Sequence, residues 1–445
     1  RAMKRLQNTR SWVWVAWISA ALAGSGSAHA EAPLWSDAED VPLPAGAQSV
    51  APKNDDTPLF QRPGARDARR GTAVSASRLP IYSAFRGIGC SGRWLEVGPY
   101  AWVCSDQVDY SSDPPDPSPV YPQPGVAGRP NDGLPYRYFF AGANGAYGYS
   151  SFLHAGDEAP ESSLEKGWAV AVVEERTKGG ETWGRTTRNQ WINMTELGAA
   201  RSFPFHGHSF KMGEKLATVP SKDSSFEGGV GWVVSERAST FASAKSNAKV
   251  TGFRVRFSEV SLESRVIEGK AVFFKISGED AWLRGADLAV PTQSVRPKEA
   301  GDHERWIDVD LATQTLVAFE GDTPAFATLV STGRGAQGTE TATPKGVHRI
   351  WAKLFTTAMD NLEREDAAHY YSIDEVPWVQ FFNKGVALHG AFWHRNFGHV
   401  QSHGCVNLAP IDAQMLFTWT TPNLPGGWTA ALPAPVDRGT VVRVR

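Results

Sequence analysis

The sequence predicts a mainly β protein, with several small β units followed by a larger C-terminal β domain that carries one short helix. Three observations predict it. Apolar residues recur with a period of two in short runs bounded by glycine and proline, as in the WIDVDL stretch beginning at Trp306. The 445 residues include 43 glycines, 29 prolines and 17 tryptophans, a composition suited to short strands and turns. Helical spacing of apolar residues stands out at one place, where Pro410 precedes Ile411, Met415, Leu416 and Trp419. The length exceeds one ordinary hydrophobic core, so several domains are expected.

At the N-terminus, Lys4, Arg5 and Arg10 precede the apolar run Trp12 to Leu22, and Ala28-His29-Ala30 offers small residues for cleavage. This pattern predicts a signal peptide over 1–30 and export to the periplasm or cell envelope. The run is too short for the roughly twenty residues a membrane span needs. Residues 31–78, rich in Pro, Ala, Asp and Gly, are expected to form a disordered linker. The stretch GCSGRWLEVGPYAWVC within 79–113 reads as strand, turn and strand, and in an oxidising compartment Cys90 and Cys104 are expected to pair as a disulfide. A second Pro-rich linker is expected over 114–134, then β units over 135–205 and 206–300.

These units share a pattern. AWVCSDQV, QWINMTEL and AWLRGADL each place a Trp before an aliphatic residue, with another aliphatic six positions after the Trp. Trp102, Trp191 and Trp282 recur at intervals of 89 and 91 residues, the mark of duplicated units. Gly167-Trp168 and Gly231-Trp232 repeat an earlier step. The units resemble bacterial SH3-like β-barrels, modules often attached to cell-wall enzymes, and that resemblance implies binding of glycan or another wall polymer. For any single copy, a buried strand Trp explains the pattern equally well.

The segment 303–445 reads as a meander: Ile307, Val309 and Leu311 alternate against acids, TLVAFE returns, and AFATLVSTG follows the Gly321-Asp322 turn. The helix from Pro410 and a terminal strand in GTVVRVR complete it. The balance of 45 basic and 47 acidic residues gives no basic footprint, so nucleic acid is not an expected partner.

The chemistry concentrates in LHGAFWHRNFGHVQSHGCVNL, residues 388–408, with four histidines and the third cysteine. Pairing Cys90 with Cys104 leaves Cys405 as the one thiol to explain. A zinc site is disfavoured because no HExxH helix or CxxC pair is present, and no metal or cofactor is expected. A cysteine nucleophile needs only a neighbouring imidazole, which lowers the thiol pKa when protonated and can pass a proton to a leaving amine. Spacing alone leaves the base open between His403, on the same strand side as Cys405, and His389, arriving from a neighbouring strand. Gly404 permits a sharp turn that would aim backbone N–H groups at an oxyanion.

SHGCVN at 402–407, with His389-Gly390 upstream, resembles the signature of the L,D-transpeptidase (YkuD-type) catalytic domain; VSTG at 330–333 and TPKG at 343–346 resemble its glycine-rich segments. The resemblance covers about the last 140 residues and implies a β-sandwich-like catalytic domain with a short helix. By position it implies Cys405 as nucleophile, His389 as proton donor and acceptor, and the Gly390 carbonyl as the group orienting His389. It further implies an oxyanion site shaped by His403, Gly404 and Cys405, with Ser402 and Asn407 holding the loop. His394 and His399 are expected to be polar bystanders. The segment from Trp351 to Trp378 matches a substrate-covering lid, with Tyr370 and Tyr371 as candidate substrate contacts, joined by Trp393 and Arg395. The implied activity is acyl transfer from a peptidoglycan tetrapeptide stem, with release of D-alanine and formation of a 3→3 crosslink. An L,D-carboxypeptidase and a lipoprotein-anchoring transpeptidase are the alternatives, and a wall-binding protein with a relic catalytic domain is the non-enzyme alternative.

Overall fold

The computed structural model describes residues 43–75, 77–116, 132–201, 203–218, 226–361 and 371–445. The expected signal peptide over 1–30 and Tyr370 lie outside these residues. The described chain is mainly β, with one α-helix among its described residues, Pro410–Trp419.

The tryptophan repeat is built three times. In each copy the Trp lies at or next to the start of a short strand: Ala101–Cys104, Trp191–Asn193 and Trp282–Arg284. Each strand runs directly into a 3-10 turn: Ser105–Gln107, Met194–Glu196 and Gly285–Asp287. The aliphatic residue six positions after the Trp is the one that closes this turn. The N–H groups of Val108, Leu197 and Leu288 donate to the carbonyls of Ser105, Met194 and Gly285. The aliphatic residue next to the Trp, Val103, Ile192 or Leu283, is fully buried in each copy. The pattern is thus the imprint of a tight corner, with one residue for the core and one to close the turn.

Strand order repeats as well. The second module runs Trp191–Asn193, Glu181–Thr186, Ala169–Lys178, Arg137–Ala141, Leu197–Ala199 across its sheet. The third runs Trp282–Arg284, Ala271–Ile276, Glu259–Glu268, Gly229–Val233, Leu288–Ala289 in the same sequence. The first follows this order with its second strand interrupted between Leu79–Pro80 and Ser83–Phe85, which splits it over two sheets. A hairpin inserted after the first strand returns an aromatic residue to face the repeated Trp: Phe60 opposite Trp102, Tyr149 opposite Trp191, and Phe241 opposite Trp282.

The first module is larger than the sequence suggests. Residues 49–73, within the expected disordered linker over 31–78, form the strands Ser49–Pro52, Thr57–Phe60 and Arg69–Ala73. Val50, Leu59 and Ala73 are fully buried. These strands are too short for a period of two to emerge from Pro- and Asp-rich surroundings; Thr57–Phe60 and Arg69–Ala73 pair with each other, but the remaining partners lie far along the chain. Cys90 and Cys104 are joined in a disulfide that ties the approach to Trp94–Gly98 to the end of Ala101–Cys104. Of the Pro-rich linker over 114–134, the described end is docked: Gly133 offers its carbonyl to Trp378 Nε1, and a Cβ on Gly133 would meet the Ile411 backbone at 2.3 Å.

The C-terminal domain stacks two sheets. One orders Thr323–Leu329, Thr315–Glu320, Arg305–Asp310, Val441–Val444 and Gly346–Arg349, with the terminal strand parallel to Arg305–Asp310. The other contains Trp428–Ala431, Ala352–Asp360, Ser372–Asn383, Val386–Gly390 and Val406–Leu408. Ile307, Val309 and Leu316 from one sheet share a core with Val376, Val379, Leu388 and Val406 from the other, and with Leu416 and Phe417 of the helix. Pro410 opens that helix, and the buried Lys353 ammonium caps its end by donating to the carbonyls of Phe417 and Thr420.

The modules are built into this domain. Arg69–Ala73 of the first module pairs with Trp428–Ala431, and Ala169 of the second meets Ile373 in a parallel bridge. One sheet therefore passes from the first module through the C-terminal domain into the second. The third module keeps its own sheet, while its entering strand His208–Ser209 pairs with Thr323–Leu329 and a shared core joins Phe205 and Trp232 to Trp306, Phe319 and Phe397.

Candidate active site

Two parallel strands position the candidate reacting groups. Val386–Gly390 and Val406–Leu408 pair so that Leu388 faces Val406 and His389 faces Asn407. Side chains alternate along a strand, so His389 and Asn407 share a face. Cys405, two residues before Asn407, points to that face as well. The thiol thus sits at the head of one strand and the imidazole on its neighbour, and both line one cleft.

The His389 ring is almost wholly buried, and its Nδ1 lies 3.1 Å from the Gly390 carbonyl, an acceptor. The proton is thereby placed on Nδ1, leaving Nε2 as the basic lone pair. Trp393 stacks on this ring with centroids 5.7 Å apart. Burial pushes the His389 pKa down to about 4, with the Gly390 contact working the other way. Burial pushes the Cys405 thiol up, and the Ala387 backbone N–H offsets part of that rise. The resting pair is a neutral thiol and a neutral imidazole. No imidazolium is present at neutral pH to hold a thiolate, contrary to the expectation from proximity alone; the lone pair suits proton acceptance during attack.

The SHGC loop is held from below by both glycine-rich segments. The Thr332 carbonyl accepts the N–H groups of Gln401 and Ser402, both at 3.0 Å. Thr343 Oγ1 donates to the Gly404 carbonyl at 2.7 Å and accepts from Gly333 N at 2.8 Å. Gly404 sits at φ 129°, a conformation that favours glycine. Ser402 Oγ donates to the Cys405 carbonyl at 2.5 Å and accepts the Gly404 N–H at 3.1 Å. The Gly404 N–H is therefore engaged by Ser402 within the loop in this ligand-free arrangement.

The other histidines diverge. His403 accepts from Arg334 at 2.9 Å and stacks on Tyr371 at 5.8 Å. His394 is no bystander. Its Nδ1 accepts the Asn396 N–H at 3.1 Å, so its proton sits on Nε2, 2.8 Å from the Asn407 side-chain amide. That accounting turns the amide oxygen of Asn407 toward His394 and fixes the residue opposite His389. Burial holds His394 near a pKa of about 4 as well. His399 donates from Nε2 to the Val234 carbonyl of the third module at 3.1 Å. The four rings do not converge on one point. Elsewhere, Cys90, Cys104 and Asp106 lie close together, but the two sulfurs are bonded to each other and offer no thiolate to a metal.

Above the pair lies a cleft of about 1020 Å³ whose walls include His389, Cys405, Ser402, His403, Asn407, Trp393 and Tyr371. Arg334, Met359 and Asp360 also line it. Arg395 does not: its guanidinium packs over Phe203 at 5.3 Å, on the third-module side of the loop. The expected lid over 351–378 is largely a pair of antiparallel strands, Ala352–Asp360 and Ser372–Asn383, which brings Met359 and Tyr371 to the cleft. Arg334 follows the VSTG segment directly, a position from which sequence offered a signal. Phe140 and Gly167 also line the cleft, and both belong to the second module.

Residues 304–444 match the family model of YkuD, the L,D-transpeptidase catalytic domain. The C-terminal domain is thus a YkuD domain, and the three modules lie outside the match. Solved structures similar to this chain are L,D-transpeptidases. A mutant enzyme from Enterococcus faecium is 23% identical over 32% of this chain and 50% of that one, with a TM-score of 0.24. An enzyme from Stackebrandtia nassauensis is 26% identical over 33% and 57%, TM-score 0.22. L,D-transpeptidase 3 from Mycobacterium tuberculosis is 16% identical over 43% and 76%, TM-score 0.25. The chain thus spans half the length of the Enterococcus faecium protein it matches. No curated protein matches it.

Proposed function

We propose that this chain is an exported peptidoglycan L,D-transpeptidase in which Cys405 forms an acyl-enzyme. The observation that carries the reading is the placement of a half-buried thiol and a neutral, oriented imidazole on one face of adjacent parallel strands, inside a YkuD domain. A tetrapeptide stem lies in the cleft with its last peptide carbonyl over Cys405. Sγ attacks that carbon while its proton passes to His389 Nε2. The carbon–nitrogen bond breaks, and His389 returns the proton to the departing D-alanine amine. A second stem amine then attacks the thioester and gives its proton to His389 Nε2, the carbon–sulfur bond breaks, and His389 passes that proton to the departing thiolate. No cofactor enters these steps. Export through residues 1–30, and attachment to wall polymer by the SH3-like modules, belong to the same proposal.

Incubating the full chain with a synthetic tetrapeptide stem tests this. Free D-alanine and a tripeptidyl adduct on Cys405 by intact-mass spectrometry are expected, with Cys405→Ala losing release by roughly a thousandfold or more. Release unaffected by Cys405→Ala would overturn the nucleophile assignment. Muropeptide analysis of treated sacculi identifies the acceptor: 3→3 dimers indicate a stem amine, free tripeptides indicate water, and wall-linked protein indicates a lipoprotein.

A further inference from the structure

The second and third modules can be superposed residue by residue from their hydrogen bonds. Leu197 and Leu288, which close the two 3-10 turns, pair with Ala141 and Val233 respectively. The next pairs are Gly198 with Phe140 and Ala289 with Trp232. Phe140 is therefore the counterpart of Trp232. The chain entering the second strand matches too. Gly167 N donates to the Ala141 carbonyl at 2.9 Å, and Phe257 N donates to the Val233 carbonyl at 2.7 Å. Both residues are left-handed, at φ +83° and +67°. Gly167 is the counterpart of Phe257.

The same corner meets two different surroundings. In the third module it is plugged: Trp232 is 1% exposed, and Phe257 packs at 5.1 Å from Phe203 and 5.3 Å from Phe205, against the core shared with the YkuD domain. Phenylalanine rarely adopts a left-handed conformation, so packing is what holds it there. In the second module the corner is open. A Cβ on Gly167 would meet nothing within 4 Å, and Phe140 and Gly167 face the cleft that holds Cys405 and His389.

We propose that this open corner of the second module is a substrate subsite, in which Phe140 and the Gly167 backbone contact the peptide lying over Cys405. The cleft matches a short peptide with both charge signs. It presents apolar faces from Phe140, Met359 and Trp393, a guanidinium from Arg334 and a carboxylate from Asp360. The module thus determines specificity within the reaction proposed above, on which this inference rests. Its attachment supports the role. Ala169 is bridged to Ile373, Tyr138 Oη donates to the Glu375 carbonyl at 2.5 Å, and Tyr138 stacks on Phe392 at 4.1 Å.

Transplanting the plug is the test. In Gly167→Phe the second module receives the residue its sibling already carries in this conformation. Two readouts are taken on the full chain: the rate at which iodoacetamide alkylates Cys405, and the concentration of tetrapeptide stem that half-protects Cys405 from it. Expected is a half-protecting concentration raised roughly tenfold or more, each protein being referred to its own peptide-free alkylation rate, with a parallel rise in KM for D-alanine release. Phe140→Leu, which keeps an apolar packing group, is expected to raise both by a smaller factor. An unchanged half-protecting concentration in Gly167→Phe, or a tetrapeptide that does not protect the parent protein, overturns the subsite. Protection without D-alanine release would instead refute the transpeptidase reading and leave the subsite standing.

Discussion

The second and third modules share strand order, tryptophan corner and left-handed entry, yet they meet the YkuD domain in opposite ways. The third buries its corner and braces the back of the loop that carries His394. A Cβ on Gly398 of that loop would lie 2.5 Å from Val234, and Arg256 donates to the Asn396 side chain at 3.1 Å. The second fuses its sheet edge to the domain and leaves its corner facing the cleft. The contrast shows that the fold of a module does not fix its task. Two residues at one corner, aromatic and aromatic in one copy, aromatic and glycine in the other, decide between docking and lining a site.

The sharpest way to break this comparison is to remove the plug. Trp232→Ala deletes a fully buried indole and is expected to cost about 3–5 kcal/mol in urea unfolding. Phe140→Ala, at a half-buried position, is expected to cost about 1 kcal/mol or less while raising KM for the stem peptide. Equal losses of stability would mean the two corners are used alike. Next in size is Phe257→Gly, which loses the ring contacts but relieves the left-handed strain. The net cost expected is about 2 kcal/mol.

Protonation separates the two seams further. Asp374, whose neighbour across the second-module seam is Arg188, is pushed up to about 6 by burial, against the pull of that guanidinium. A carboxyl raised in the folded state contributes stability that is present below pH 3.8 and lost as pH rises through about 6. His206 sits in the segment leading into the third module and is raised above 6.5, first by its hydrogen bond to the buried Asp412. Its contribution is present below pH 6.5 and lost as pH rises through the raised value. Hydrogen exchange is therefore expected to show the second seam loosening between about pH 4 and 6 and the third only above 6.5. Coincident transitions would contradict the assignment. Within the cleft, kcat/KM is expected to fall on the acid side as His389 gains a proton near pH 4, with the same limb in Phe140→Ala; a displaced limb would mean that Phe140 acts on the base. The smallest effect belongs to Arg188→Ala. Arg188 is about half exposed, so a loss below about 1 kcal/mol is expected, measured by thermal unfolding.

Much of the YkuD domain was legible because its signals are local. The alternation at 306–311, the Pro410 helix start and the SHGCVN run each fit within about ten residues. The tryptophan repeat was legible for the same reason, since corner, core residue and closing residue lie within seven positions. The strands between 49 and 73 escaped because they are short and most of their partners are not local: Ser49–Pro52 pairs with Val108–Ser111, and Arg69–Ala73 with Trp428–Ala431. His394 looked like a bystander because its partner, Asn407, is apparent only after the loop closes. Phe140 and Gly167 carried no chemical signal of their own; their place at the cleft follows from the docking of one module among three.

The parallel pairing of Val386–Gly390 with Val406–Leu408 carries a consequence for variation. The ladder between these strands sets His389 opposite Asn407, and the contacts of the SHGC loop to Thr332 and Thr343 hold the turn that leads into Cys405. Within residues 391–401, which cross from one strand to the other, Trp393 stacks on His389, His394 contacts Asn407 and Phe397 is fully buried, so the changes this crossover tolerates fall at its exposed positions, such as Val400. Those positions are where substitution can alter the surface of this loop while leaving the placement of His389 and Cys405 unchanged.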